Sequence, residues 1–373
     1  MSRRPACSVI VPARNAAGML PRTLGAICGS DLPRDQWELI VVDDGSTDET
    51  ASVAARYADT VVRLPGRANG PAYARNRGFE VSLGEVVMFF DADVVVHPDT
   101  MRRFLEVMRE VPDAGAVFGS YDNRPAAPGF VSQYRNLLHH HVHQQNAGDA
   151  DTFWAGAGAV RREVFEEAGM YDEWHYPRPQ IEDIEMGGRI RRLGHRILLR
   201  PEIQATHLKR WTLRGVLMTD LKDRGIPWAR LLAHRGSMLS SGTLNLKWTE
   251  KLNTILVWLG TLLLGLALVM WDWRIAMPGA LCLAVAVTIS TPLLGFFART
   301  RGVWFAIRVI PVHLLYYLLN GVSFGLGMLL HELIGAPRQD PTIEAYAEVG
   351  VKRWPPVPSR NRSTWTADKE QNA

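Results

Sequence analysis

Three long apolar runs toward the C-terminal end constrain the fold of this 373-residue chain more than any other feature. They cover residues 252–270, 275–297 and, less cleanly, 303–330, and the composition changes sharply near residue 251. A run of about 20 apolar residues is long enough to cross the hydrocarbon core of a membrane. Because three such runs in succession are hard to bury in a soluble domain, the sequence predicts about three transmembrane helices over 251–333.

The distribution of Lys and Arg predicts how these helices are oriented. Lys247 and Lys251 precede the first run, whereas the connection after that run holds a single arginine. We therefore expect a multi-pass protein of the cell (inner) membrane whose first 225 residues lie in the cytoplasm. Three crossings would place the polar tail, 334–373, outside, yet the tail is rich in Lys and Arg. A break of the third run at Pro311, Asn320 and Gly321 would make it re-entrant and return the tail inside, and the sequence leaves both alternatives open.

The cysteine content and the distribution of charge further limit the class of protein. The three cysteines are too few and too scattered for a disulfide framework, which fits a reducing compartment. The formal net charge of +4 is only mildly basic, but basic residues concentrate between 209 and 251. Apolar residues at helical spacing accompany them, which predicts a basic amphipathic segment, assigned to 226–250, on an anionic leaflet. We therefore expect a membrane as partner and no nucleic acid.

The first 225 residues alternate between short apolar runs and amphipathic runs. The short runs predict strands at 7–11, 37–42, 60–64, 86–90 and 115–119, with helices between them. Strands that alternate with helices predict an α/β fold with a doubly wound, mostly parallel sheet. The predicted order is thus an α/β domain at 1–225, the interfacial segment, the transmembrane region and the polar tail.

Two carboxylates, Asp91 and Asp93, follow the buried strand at 86–90. In an open α/β sheet, ligands bind at the carboxyl ends of the strands. Two carboxylates so close repel each other unless a cation lies between them, and oxygen ligands suit Mg²⁺ or Mn²⁺, which also bind substrate phosphates. Taken alone, the pattern favours a strand followed by an acidic turn over a metal site.

Three further features lie near the expected ligand edge of the sheet. Asp43 and Asp44 follow the second strand and form either a helix-capping turn or acceptors for a base or ribose. Arg75 lies on a predicted helix, where it either faces solvent or reaches a phosphate. Glu182 and Asp183 open another helix, where acidic residues also compensate the helix dipole.

Four motifs, in this order and spacing, resemble glycosyltransferase family 2: Val11-Pro12-Ala13-Arg14-Asn15, Val42-Asp43-Asp44-Gly45-Ser46-Thr47-Asp48, Ala74-Arg75-Asn76-Arg77-Gly78 and Phe90-Asp91-Ala92-Asp93. The resemblance covers roughly residues 6–225. It implies a GT-A nucleotide-sugar-binding domain, a nucleoside diphosphate sugar as donor (a UDP-sugar is favoured), and Mn²⁺ or Mg²⁺ as cofactor. It also implies inversion at the anomeric carbon.

The resemblance implies roles for individual residues. Asp183 is the implied catalytic base, since inversion by a single displacement needs a base within reach of the acceptor hydroxyl. Asp93 is an implied metal ligand. The implied donor-binding residues are Pro12, Arg14, Asn15, Asp43, Asp44, Arg75, Asp91, Arg210 and Trp211. The implied acceptor residues are Trp154, Gly156 and Glu182.

His207 departs from the family pattern. Residues 207–211 occupy the place of the Gln-X-X-Arg-Trp motif that marks processive polysaccharide synthases, and His207 stands where that motif has Gln. The partial loss argues against processivity. The resemblance implies that His207 completes the metal ligands, and the alternative is a loop histidine without such a role. Arg210 and Trp211 are the implied clamp for the diphosphate and stacking surface for the acceptor.

A predicted helix at 130–145 contains four histidines. Consecutive residues of a helix point in different directions, so a metal site there is disfavoured. An apolar stripe that includes Tyr134, Leu137 and Leu138 favours a helix near a membrane surface or an acceptor groove.

These observations predict an inverting, metal-dependent glycosyltransferase that acts on a lipid or lipid-linked acceptor at the cytoplasmic face of the membrane. Two other enzymes remain open, a polyprenyl-phosphate glycosyltransferase and a processive polysaccharide synthase. A sugar-phosphate nucleotidyltransferase would share the fold class, but its Gly-rich, basic first loop is missing from the sequence. The non-enzymatic alternative is a membrane scaffold with an inactive nucleotide-binding domain.

Overall fold

The computed structural model describes residues 4–66, 68–235 and 247–335. Part of the predicted interfacial segment and nearly all of the predicted tail therefore lie outside the described residues.

The described chain forms two compact units. The first contains residues 4–126 and 147–209, and the second contains residues 127–146 and 210–335. The second unit thus includes a helix whose sequence lies within the predicted α/β domain.

Nine strands build the sheet of the described first unit: β1 Cys7–Ala13, β2 Trp37–Asp43, β3 Thr60–Arg63, β4 Val86–Phe90, β5 Val94–Val96, β6 Ala114–Tyr121, β7 Gly148–Asp149, β8 Ala157–Arg161 and β9 Arg196–His207. The helices, in chain order, are α1 Leu20–Cys28, α2 Thr50–Ala54, α3 Pro71–Val81, α4 Thr100–Glu110, α5 Phe130–Gln144, α6 Arg162–Glu167, α7 Glu182–Arg192, α8 Leu213–Met218, α9 Ile226–His234, α10 Trp248–Met270, α11 Trp273–Ile289, α12 Thr291–Arg301 and α13 Val303–Ile334. A π-helical turn, Thr219–Gly225, joins α8 to α9.

The sheet confirms the predicted α/β class. Its order is β3-β2-β1-β4-β8-β6-β9-β5, with β7 paired to β9. Strands β1 to β4 pair in parallel, as predicted. The apolar runs of β1, β2 and β4 are buried on both faces, whereas the edge strand β3 is partly exposed. The other half is mixed, since β8 runs antiparallel to both neighbours and β5 runs antiparallel to β9. The sheet is therefore parallel in its first half and mixed in its second.

Small residues explain how β8 fits between two central strands. A side-chain carbon on Gly158 would lie 2.6 Å from the Phe153 ring and from the Trp154 carbonyl oxygen. The preceding segment can therefore fold onto β8 only because β8 carries a glycine at this position.

The second unit is helical. Its helices α10 and α11 form an antiparallel hairpin that turns at Trp271, which adopts a left-handed conformation (φ 52°). By length and composition, α10 and α13 are each able to cross a membrane, and α11 with α12 is a third candidate if the bent pair counts as one span.

The sequence leaves open a break in the third apolar run, but the helical break lies in the second run. Helix α13 is continuous through Pro311, whereas α11 and α12 meet at an angle of 58°. Ser290 lies at this break and Pro292 opens α12, a position where the absent N–H of proline costs no helical hydrogen bond.

Helix α5 packs on α12 and α13 within the second unit. Tyr134, Leu137 and Leu138 form one apolar cluster with Leu293, Phe297, Ala306 and Val309. The ring of His140 stacks on Phe296 at a centroid distance of 5.7 Å. Its histidines do not form a metal cluster: no group of three or more potential metal ligands occurs anywhere in the described chain.

Candidate active site

The loops after β1 and β2 interlock at the carboxyl edge of the sheet. Asn15 adopts a positive φ of 47°, which asparagine tolerates better than most residues. Its side-chain oxygen accepts a hydrogen bond from the Thr47 backbone N–H at 2.8 Å, and its own N–H donates to Ser46 Oγ at 2.9 Å. Asn15 therefore joins the two loops. Pro12 lies within β1 and Arg14 is exposed at its end.

Asp43 and Asp44 are both buried but have different partners. The Asp44 carboxylate accepts hydrogen bonds from the backbone N–H groups of Asn69 and Gly70, at 2.9 and 2.8 Å. Gly70 has a φ of 96°, and a side-chain carbon there would lie 2.4 Å from the Pro177 carbonyl oxygen. Asp44 thus fixes the turn that starts α3, while Asp43 accepts one loop N–H, that of Ser46, at 3.1 Å.

Arg75 connects two of the predicted site residues. It is 4% exposed, and its Nη2 donates to Asp91 Oδ1 at 2.7 Å while Nη1 donates to Glu182 Oε1 at 2.9 Å. Burial by itself lowers the pKa of this guanidinium, but the negative charges of Asp91 and Glu182 outweigh burial and raise the pKa above its usual value. Arg75 therefore stays charged and holds both carboxylates.

Asp93 and His207 meet across two antiparallel strands. Val94 of β5 is paired with His207 of β9, so the residue before Val94 lies beside the imidazole. His207 Nε2 is 3.4 Å from Asp93 Oδ2. Burial would raise the pKa of Asp93, but its interaction with His207 outweighs burial and lowers that pKa.

Tyr121 stacks on the face of the His207 ring. The two rings stack at a centroid distance of 4.2 Å and an interplanar angle of 8°. Trp154 then meets Tyr121 edge-on at 4.8 Å. A continuous row of side chains therefore runs from Trp154 through Tyr121 and His207 to Asp93.

The donor atoms of Asp93 and His207 suit Mn²⁺ or Mg²⁺. A carboxylate oxygen suits both ions, and an imidazole nitrogen suits Mn²⁺ better than Mg²⁺; both ions commonly take the remaining ligands from substrate phosphates and water. The described residues contain no cluster of three protein ligands, so a diphosphate would have to contribute to such a site.

Asp183 lies in the first turn of α7. Its Oδ2 accepts a hydrogen bond from the Ala155 backbone N–H at 3.2 Å, and its Oδ1 accepts one from Ile184 at 2.8 Å. The bond to Ala155 holds Asp183 beside the predicted acceptor segment. In that segment, a side-chain carbon on Gly156 would lie 2.4 Å from the Trp154 ring.

Glu182 has contacts different from those of its neighbour. It is buried, its Oε1 accepts from Arg75, and its Oε2 accepts from the Gln180 backbone N–H at 2.9 Å. These contacts make it a partner of Arg75, and its predicted contact with an acceptor stays a prediction.

Arg210 and Trp211 belong to the second unit. The Trp211 backbone N–H donates to Ser132 Oγ of α5 at 2.8 Å, and the Arg135 guanidinium lies 5.9 Å from the Trp211 ring centroid. Their contacts with a donor or an acceptor remain predictions.

Sequence reasoning missed Tyr121 and the cluster beside it. Asp122 accepts hydrogen bonds from His97 Nε2, at 3.1 Å, and from Thr206 Oγ1. Thr206 directly precedes His207, and Asp122 directly follows Tyr121, so this cluster ties the ends of β6 and β9 together. An aromatic residue followed by an acid at a strand end was the available signal.

The mixed sheet and the acidic residues at the ends of β2 and β4 define a GT-A-type domain. Residues 8–169 match the family described as Glycosyl transferase family 2. This part of the chain is a domain of that family, as the four motifs predicted.

Curated glycosyltransferases are similar in sequence to parts of this chain. Probable glycosyltransferase YdaM of Bacillus subtilis is 28% identical over 216 residues, which cover 54% of this chain and 50% of YdaM. Uncharacterized glycosyltransferase YibD of Escherichia coli is 43% identical over 107 residues, which cover 27% of this chain and 29% of YibD. The chain therefore spans half or less of the length of these curated relatives.

A solved structure shares the fold over most of the chain. It is that of the mannosyltransferase PcManGT from Pyrobaculum calidifontis in complex with GDP-Man and Mn²⁺. The match has a TM-score of 0.53 and 22% sequence identity, and it covers 86% of this chain and 87% of that one.

Proposed function

We propose that the protein is an inverting, metal-dependent glycosyltransferase that moves a sugar from a nucleoside diphosphate sugar to a lipid or lipid-linked acceptor. The observation that carries this proposal is the position of Arg75, whose buried guanidinium binds both Asp91 and Glu182. The predicted donor residue Asp91 and the predicted base Asp183, next to Glu182, are thereby held in one rigid site.

The donor half comprises the ends of β2 and β4. Asp43 is the better candidate for the nucleobase, because Asp44 accepts three hydrogen bonds from Asn69 and Gly70. Asp91 is 37% exposed and is assigned to the ribose. A UDP-sugar is the favoured donor. GDP-mannose is the alternative donor, because the structure of PcManGT, which shares the fold, contains GDP-Man.

Asp93 and His207 would hold the divalent cation through Oδ2 and Nε2. When bound, such a cation offsets the charge that grows on the leaving diphosphate. The Tyr121 ring keeps the imidazole plane fixed beside Asp93. The chain's own contribution is thus a rigid pair of ligands, set by the register of β5 and β9.

Asp183 accepts the proton of the acceptor hydroxyl. The backbone N–H groups of Ala155 and Ile184 orient its carboxylate, so little reorganisation is needed when a hydroxyl approaches. The proton leaves the hydroxyl as its oxygen bonds to the anomeric carbon and the bond to the diphosphate breaks.

Donor hydrolysis and transfer by the purified full chain test this proposal. UDP-, GDP- and TDP-sugars are offered with Mn²⁺ to wild type, Asp93→Asn, Asp183→Asn and the control Asp35→Asn, which replaces an exposed acid in a surface turn. We expect Asp183→Asn to lose more than about 100-fold in transfer, within the range of general-base contributions. Asp93→Asn should lose transfer through weaker metal binding, and the control should keep its rate. Absence of turnover with every donor would favour the scaffold alternative, whereas turnover that is unaffected in Asp93→Asn would remove the assignment of Asp93 to the metal.

The acceptor class follows from the apolar helices. Two helices in the described residues are able to cross a membrane, and an enzyme anchored there meets acceptors in the membrane plane. Mass spectrometry of membrane lipids from cells with and without the protein tests for a glycosylated lipid. The catalytic part is proposed to face the cytoplasm of the cell (inner) membrane, because Lys247 precedes α10 and Lys251 lies in its first turn.

A polyprenyl-phosphate glycosyltransferase is the second candidate. A phosphate acceptor is already anionic, so it needs a base less than a hydroxyl does. Full transfer by Asp183→Asn to a polyprenyl phosphate would select this candidate and remove the base assignment.

A further inference from the structure

Helix α13 is accompanied by other helices of the second unit along most of its length. At its start, Ala306 and Val309 pack on Tyr134 of α5. In its middle, His313 Nδ1 is 3.0 Å from Tyr134 Oη. Leu315 and Leu319 then line a small cavity together with residues of α8 and the π-helical turn.

The same pairing continues to the end of the helix. A side-chain carbon on Gly225 would lie 2.4 Å from Ser323, and one on Gly327 would lie 2.5 Å from the Ala229 side chain. The Arg230 guanidinium donates to the Gly335 carbonyl oxygen at 3.0 Å. From about residue 312 onward, α13 therefore runs beside the helical stretch 213–234, which we call the basic helix.

Moving the basic helix into the hydrocarbon core of a membrane would be energetically unfavourable. Within 22 residues it carries six charged side chains: Arg214, Asp220, Lys222, Asp223, Arg224 and Arg230. Each charge at the centre of a membrane is unfavourable, and the cost accumulates along the helix. If α13 crossed the membrane, its close contacts would carry these charges into the membrane with it.

The hairpin of α10 and α11 has different surroundings. Asn253 Nδ2 donates to Tyr317 Oη at 3.0 Å and to Ser290 Oγ at 3.3 Å, so the middle of α13 lies at the open end of the hairpin. Toward the closed end the hairpin exposes large apolar side chains, including Leu262, Val269 and Trp271.

We infer that α13 lies in the plane of the membrane surface together with the basic helix, and that the α10–α11 hairpin is the part of the described chain that crosses the membrane. The partner of α13 is the lipid of one leaflet. Helix α13 leaves the apolar side chains Trp304, Ile307, Phe324, Leu326, Leu329 and Leu333 exposed. On the basic helix, Arg214, Lys222 and Arg224 are exposed and suit anionic headgroups.

This arrangement decides a question of topology that the sequence leaves open. Two crossings return the chain to the side from which it entered. Residues 336–373 would then share the side of the N-terminal domain, which agrees with their many Lys and Arg residues. Three crossings would place this basic stretch on the opposite side.

Epitope tags on the full chain test the inference. One tag precedes Met1, a second follows Ala373, and a third is inserted at Asp272 in the turn between α10 and α11. Right-side-out and inverted vesicles are treated with protease, and the survival of each tag is measured. We expect the first and second tags to be digested in the same vesicles, and the third tag in the opposite ones.

Digestion of the first and second tags in vesicles of opposite orientation would overturn the inference, because it requires an odd number of crossings. Release of the untagged protein by alkaline carbonate would overturn it too, since no part of the chain would then cross the membrane. If the inserted tag disturbs the hairpin, the two terminal tags still decide between an even and an odd number of crossings. None of these measurements depends on the proposed enzymatic activity.

Discussion

The Tyr121 ring lies flat against the His207 imidazole, with centroids 4.2 Å apart and planes 8° from parallel. The Nε2 edge of the imidazole faces Asp93, whose Oδ2 is 3.4 Å from Nε2. The orientation of this proposed metal ligand therefore depends on a residue from a third strand, β6.

Replacing Tyr121 with Ala should weaken Mn²⁺ binding about tenfold, the lower end of the range for residues that orient metal ligands. Without the ring, the imidazole is free to rotate away from Asp93. The measurement is the Mn²⁺ dissociation constant, from the electron paramagnetic resonance signal of free Mn²⁺ in the presence of UDP. Tyr121→Phe keeps the stacked ring and should bind as wild type does; equal weakening in both variants would contradict a role for stacking.

Replacing Arg75 with Met should lower the stability by about 3–5 kcal/mol, the usual cost of removing one partner from a buried ion pair. Glu182 would remain buried without its cation, whereas Asp91 is partly exposed and is affected less. Thermal unfolding of the full chain in detergent measures the effect. The matched control is Arg102→Met, whose ion pairs are about 40% exposed, and it should shift the unfolding temperature little.

Some features of the site could be predicted from local sequence motifs, and others depend on contacts between distant segments. The position of Asp91 and Asp93 was predictable, since an apolar strand that ends in carboxylates locates them at the sheet edge. The different roles of Asp43 and Asp44 were not predictable from the sequence, because only the folded turn brings Asn69 and Gly70 to Asp44. The stack on His207 depends on the order of β6, β9 and β5, which no local pattern contains.

The same limit applies to the helices. Apolar length predicted α10 and α13 well, because helix length and hydropathy are local properties. The partners of α13 are contributed by segments that are distant in sequence, among them α5, which lies between two strands of the α/β domain. Composition therefore predicts that a helix contacts lipid. The segments packed against that helix determine whether it crosses the membrane or lies in the plane of the membrane surface.

Asp122→Asn should destabilise the protein at neutral pH but not in acid. Burial would raise the pKa of Asp122, but hydrogen bonds from His97 and Thr206 outweigh burial and lower it below the usual 3.8. A carboxyl with a lowered pKa in the folded state stabilises the protein above about pH 3.8 and loses that contribution as the pH falls through the lowered value.

Unfolding temperatures of wild type and Asp122→Asn, measured between pH 7 and pH 3, check this prediction. The difference should be largest at pH 7 and should narrow below about pH 4. Asp35→Asn, at an exposed position, serves as the control and should differ little from wild type throughout. A difference that is independent of pH would show that the carboxylate charge is not responsible.

Gly156→Ala should impair use of the acceptor more than use of the donor. A methyl group at this position would lie 2.4 Å from the Trp154 ring, so the ring must move out of its contact with Tyr121. We expect KM for the acceptor to rise about tenfold, while KM for the donor changes little; a loss of about 1.4 kcal/mol in binding corresponds to this factor. Gly25→Ala is the control, because nothing lies within 4 Å of the added carbon.

A pair of arginine substitutions separates a crossing helix from a helix in the membrane plane. Leu259 lies at the middle of α10 and is 45% exposed, and Phe324 lies in α13 and is 47% exposed. An arginine at the centre of a crossing helix costs about 2.5–3.5 kcal/mol, whereas one at the surface can extend its guanidinium to water. Leu259→Arg should therefore reduce the fraction of protein that resists carbonate extraction, and Phe324→Arg should leave that fraction near the wild-type value. Equal losses in the two variants would mean that α13 is surrounded by hydrocarbon, as α10 is.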